Sequence, residues 1–138
     1  MSQLKTFILL ASTLGFMAVG PCAKEKPDPD DQPADTQKPT LEWVEILASM
    51  YPVGAQVPLH FEIQDNVALS TATLTVTNSS IDSVYVLKSY TSTEKYLLVD
   101  EEVTVALTTT MADFIVKVDA IDKAGNKESF IKGFHVMN

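Results

Sequence analysis

From Thr40 onward the chain keeps a period of two, and that period decides what it can fold into. Val57, Leu59, Phe61 and Ile63 alternate with Pro58, His60, Glu62 and Gln64. Ala72, Leu74 and Val76 alternate with Thr71, Thr73, Thr75 and Thr77. Val103, Val105 and Leu107 alternate with Thr104 and Ala106, and Phe114, Val116, Val118 and Ala120 with Ile115, Lys117, Asp119 and Ile121. Phe130, Phe134 and Val136 share one face of a last strand. Alternation turns one face of each strand inward and the other outward, as antiparallel sheets with one solvated face require. The outward threonines add strand propensity without apolar patches.

Two stretches break the rhythm. Leu41 and Trp43 lie on one face, Val44 and Ile46 on the other, which a bulge or a first strand that switches sheets explains. Between Ile81 and Val99 the pattern is mixed, and strands are expected near Ser83–Tyr90 and Lys95–Val99. Short strands separated by turn signals, with no amphipathic helix, predict an all-β, immunoglobulin-like antiparallel β-sandwich of about 7–8 strands over residues 40–138. The chain holds a single cysteine, Cys22, so no internal disulfide staples this fold and packing must hold it alone.

The residues ahead of the sandwich belong to a different class. Lys5 precedes an almost uninterrupted apolar stretch from Thr6 to Val19, the layout of a signal peptide and too short to span a bilayer comfortably. Val19-Gly20-Pro21-Cys22 resembles a lipobox, the signal for lipid attachment to the cysteine and cleavage just before it. Pro21 stands where that pattern has a small residue. Ordinary cleavage after Gly20 is the alternative. The expected divisions are a lipoprotein signal peptide at 1–21 and a lipidated Cys22 with a disordered tether at 22–39. The tether carries Pro27, Pro29, Pro33 and Pro39 among charges, with no aliphatic side chain larger than alanine. Such a segment buries too little apolar surface to offset the entropy of ordering, and its prolines extend it.

Composition narrows the function. The net charge is −8 and arginine is absent, so the basic stripe that nucleic-acid binding needs does not exist. Glycine-rich phosphate loops and nucleophile elbows are missing. His60 and His135 fall on outward strand faces without a ligand partner at metal-site spacing. A catalytic role is therefore not expected.

Two polar loops stand out. Asp65-Asn66 follow the strand ending at Gln64, and Asp122-Lys123-Ala124-Gly125-Asn126 join the last two strands. Gly125 supplies a positive φ and Asp122 caps the turn. In immunoglobulin topology these loops emerge at the same end. Asp65, Asn66, Asp122 and Asn126 would then gather carboxylate and amide oxygens of the kind calcium accepts. The same residues also serve plain turn chemistry, hydrogen-bonding their own backbone.

"QDNVALSTATLTV" together with "VKVDAIDKAGN" resembles bacterial immunoglobulin-like modules. With the lipobox and "KPTLEWVEI", the chain resembles small Bacteroidota-type lipoproteins with a single immunoglobulin-like domain of uncharacterised function. The charged tract behind Cys22 resembles the surface-export signals of such lipoproteins. Some of these proteins carry histidine-rich segments after the third strand. Thr77–Asp82 has none here, so no metal role transfers to it. The resemblance implies an outer-membrane lipoprotein at the cell envelope, displayed outward or into the periplasm. The expected function is a non-catalytic binding or adhesion module, with an envelope protein or a glycan as partner and the membrane reached through the lipid. Tyr85, Tyr90 and Tyr96 are the aromatics available to a glycan. The alternative is an accessory subunit of a larger envelope complex.

Overall fold

The structure, a computed structural model, describes residues 34–106 and 111–138. The signal peptide, Cys22 and most of the linker lie outside the described residues. Eight strands follow in chain order: β1 Thr40–Trp43, β2 Met50–Pro52, β3 Gln56–Gln64, β4 Leu69–Asn78, β5 Ser83–Thr91, β6 Tyr96–Thr104, β7 Met111–Asp122 and β8 Lys127–Met137. They form a three-stranded sheet ordered β1-β3-β6 and a five-stranded sheet ordered β2-β8-β7-β4-β5. This is the expected all-β sandwich of eight strands in two sheets, and no helix occurs among the described residues.

One pairing departs from the antiparallel expectation: β2 runs parallel to β8. The reason lies in the break of period near Val44. The amides of Val44 and Glu45 both reach the His60 carbonyl, at 3.0 and 3.3 Å, a two-against-one arrangement that ends β1. The chain then crosses to the other sheet without reversing. It therefore meets β8 running in the same sense.

The period-two faces close on each other as the sequence implies. Val57, Leu59, Phe61 and Ile63 from one sheet meet Leu74, Val76, Phe114, Val116 and Val118 from the other, all buried. Phe114 and Phe134 stack with centroids 5.2 Å apart, Tyr51 meets Phe134 edge-on at 5.5 Å, and Trp43 meets Phe61 likewise at 5.3 Å. Each fully buried aromatic of this kind contributes about 1.5–3 kcal/mol of transfer free energy.

The mixed stretch holds the two strands expected of it, β5 and β6. β6 starts at Tyr96 and runs on to Thr104, so Leu97, Val99 and Val103 lie on one strand. Its inward side carries Val99 and Val103 with Glu101 between them. Glu101 accepts from Lys88 Nζ and, at 3.0 Å, from the Tyr90 hydroxyl, both on β5. Tyr85 bridges the same gap: its hydroxyl donates to the Thr104 carbonyl at 2.9 Å and accepts from the Ala106 amide at 3.0 Å. Polar side chains thus seal the side of the sandwich where edge strands β5 and β6 face each other. Inward-pointing charge on an edge also discourages pairing with foreign strands.

Candidate functional site

The loop end is built by four segments that the topology brings together. They are the lead-in 34–39, the β3–β4 loop, the β5–β6 turn and the β7–β8 hairpin. The amides of Asp65 and Leu69 reach the carbonyls of Lys95 and Glu94, at 2.9 and 2.8 Å. The Lys123 amide reaches the Ala68 carbonyl at 3.0 Å. The expected convergence of the two polar loops therefore occurs.

Each loop is shaped by its aspartate. Asp65 Oδ1 accepts from the amides of Val67 and Ala68, at 2.9 and 2.8 Å, which folds the β3–β4 loop into an Asx turn. Asp122 Oδ1 accepts from the Asn126 amide at 2.8 Å, and Gly125 between them takes φ +92°. Only a residue without Cβ adopts that backbone at no steric cost.

The lead-in is the surprise. Composition groups residues 34–39 with the linker, yet side chains of the sandwich hold them in place. The Asn126 side-chain amide lies 2.7 Å from Asp122 Oδ2, 3.0 Å from the Gln37 carbonyl and 3.1 Å from the Asp35 carbonyl. The Asn66 amide donates to Asp35 Oδ1 at 3.1 Å, and the Gln37 amide donates to the same oxygen at 3.0 Å. Lys38 pairs with Glu128 at 3.0 Å, which holds the Glu128 carboxyl below its usual range. Contacts with the sandwich thus start ahead of Thr40, at Asp35.

As a result three carboxylates meet. Asp35, Asp65 and Asp122 each present an oxygen within 4.8 Å of the others. Among the described residues no lysine or histidine pairs with any of them. At an effective dielectric near 20, two unit charges at such a distance repel by roughly 3 kcal/mol. Asn66 and Asn126 stand behind these carboxylates as donors that position them. Asp35 completes the group, and no spacing in the sequence marks it. It sits in a charged, proline-rich tract where one aspartate looks like the next.

Beside Asp65 and Asn66 lies a shallow open pocket of about 260 Å³, with Gln37 and Tyr96 also on its wall. Of the three tyrosines available for sugar stacking, Tyr96 is the most exposed and the one on this pocket. Tyr85 packs edge-on against Phe114, and burial together with the Glu101 carboxylate pushes the Tyr90 hydroxyl above its ordinary range.

The histidines sit among carboxylates after all, supplied by neighbouring segments rather than by local spacing. His60 lies 3.2 Å from Glu45 and 2.7 Å from Asp100, and His135 lies 2.6 Å from Asp113. The His60 side chain is half-buried, whereas His135 and Asp113 lie on an open face, where such a contact contributes little.

A second surface feature lies on the outward face of the five-stranded sheet. Directly opposed residues on neighbouring strands point the same way. One row across the sheet therefore reads Val84, Thr77, Ile115, Gly133, and the next Leu87, Thr75, Lys117, Ile131. Leu87 is 65% and Ile131 68% exposed. A more polar row follows, in which Asp119 accepts from Ser129 at 2.5 Å and pairs with Lys117 at 2.8 Å.

No protein-family model matches the sequence. No curated protein matches it either.

Proposed function

We infer that this chain is an exported, lipid-anchored, non-catalytic module that binds a protein partner at the cell envelope. The observation that carries the binding half of this reading is the outward face of the five-stranded sheet. Val84 and Leu87 on β5, and Ile115 and Ile131 on β7 and β8, leave aliphatic surface outward in adjacent cross-strand rows, with Thr75, Thr77 and Lys117 between the two pairs. Several large aliphatic side chains exposed together on one sheet face support a protein-interaction surface. Aliphatic side chains suit a protein better than a glycan, which favours aromatic rings, and these two rows contain none. The anchoring half rests on chain order: an apolar N-terminal run, the one cysteine at its end, a charged linker, then a sandwich that stands on its own core.

A photo-crosslinker placed at Leu87 tests the binding half in intact envelopes. A discrete crosslinked species is expected, lost when Ile115→Lys and Ile131→Glu are combined in a chain that still unfolds cooperatively. A crosslink that survives the double variant would remove this face from the account. A partner that also stays bound stoichiometrically through purification would favour the accessory-subunit form of the same reading.

A further inference from the structure

Turn chemistry explains much of the loop end, but not all of it. It accounts for Asp65 Oδ1, which accepts from two loop amides, and for both oxygens of Asp122, which accept from Asn126. It leaves Asp65 Oδ2 unexplained. Asp65 is only 8% exposed, and its Oδ2 is shielded from solvent with no donor reaching it. Asp35 Oδ2 is in the same state. Buried carboxylate oxygens are ordinarily satisfied by donors or by a metal ion. The segment carrying Asp35 belongs to no strand, so no ladder forces its carboxylate toward two others. A shared cation accounts for both the bare oxygens and their gathering.

We propose that Asp35, Asp65 and Asp122 bind a calcium ion that locks the last residues of the linker onto the sandwich. The donors are hard oxygens, the class calcium takes in groups of six to eight at about 2.3–2.6 Å. Each carboxylate oxygen has two lone pairs, so those already accepting a hydrogen bond still have one to offer. Of the three carboxylates, the shallow pocket borders Asp65. Asn66 and Asn126 hold the ligands in place from behind. The consequence is mechanical. With calcium bound, residues 34–39 are fixed to the domain and set the direction in which the linker leaves it. Without calcium, repulsion among the three carboxylates opposes the hydrogen bonds that hold the lead-in. This holds whether or not Cys22 carries lipid, and it concerns a different surface from the outward sheet face.

The test is calcium titration of the full chain after chelation, read by thermal unfolding and by hydrogen exchange at residues 34–39. Calcium at a few millimolar, the range of extracellular calcium modules, should raise Tm by about 5 °C. Exchange of the Gln37 and Lys38 amides should slow by about tenfold or more. Asp35→Asn lies outside every strand, so it should still fold cooperatively without calcium while losing both responses. Asp122→Asn, a second variant, should lose them too. No Tm shift in the wild type, or an undiminished response in Asp35→Asn, would overturn the site. An equal response to magnesium, which demands stricter octahedral geometry, would overturn the assignment to calcium.

Discussion

Asn126 holds Asp122 at both ends of its carboxylate, with the backbone amide on Oδ1 at 2.8 Å and the side-chain amide on Oδ2 at 2.7 Å. The same side-chain nitrogen reaches the carbonyls of Gln37 and Asp35, so one residue ties the last hairpin to the segment ahead of the first strand. Asn126→Ala keeps the backbone bond and removes the rest. A net cost of about 1–2 kcal/mol follows from polar groups left unsatisfied. Urea denaturation should show it, together with faster exchange at Gln37.

The core carries most of the stability. Phe114 and Phe134 stack on each other, and Tyr51 and Tyr85 meet them edge-on. Phe114→Ala should cost about 3–5 kcal/mol, lost contacts and residual cavity together. The wild-type transition should be cooperative and identical with and without reductant, because Cys22 has no partner cysteine.

The seal between β5 and β6 has a pH signature. The hydrogen bond from Lys88 lowers the Glu101 carboxyl below its ordinary 4.5 against the opposing effect of burial, with help from Tyr90. A depressed carboxylate stabilises the fold above its unfolded value and stops doing so as pH falls through its folded value. The wild type should therefore lose stability below about pH 4.5. Lys88→Met should flatten that acid limb, measured as the difference between the two proteins. Tyr90 shifts the other way, raised first by burial and then by Glu101. Its contribution is complete below pH 10.0, the ordinary tyrosine value, and is lost only as pH rises through its folded value. Ultraviolet titration should show Tyr90 ionising above the ordinary tyrosine range.

Most of the fold was legible because period two is a direct record of burial. β3, β4, β7 and β8 each bury one alternate set of side chains, and each reads cleanly. β5 and β6 do not, for a physical reason. Lys88 and Glu101 occupy inward positions because they seal a gap between sheet edges, while Leu87 and Leu98 face outward. Hydropathy alone inverts there. The parallel β2–β8 pairing was hidden because three residues show no period. At the site, Asp65, Asn66, Asp122 and Asn126 were visible through turn chemistry and topology. Asp35 was not, because its place depends on contacts with Asn66 and Asn126 that no local pattern encodes.

On the proposed reading, a lipidated Cys22 carries the module to the envelope. Intact-mass spectrometry of the chain purified from membranes of its own cells addresses that claim in one measurement. The account predicts a chain that begins at Cys22 and carries the added mass of a diacylglyceryl group, with Cys22→Ala accumulating as uncleaved precursor. An unmodified chain that begins at Pro21 after ordinary cleavage, or one that retains Met1 through Pro21, would contradict it.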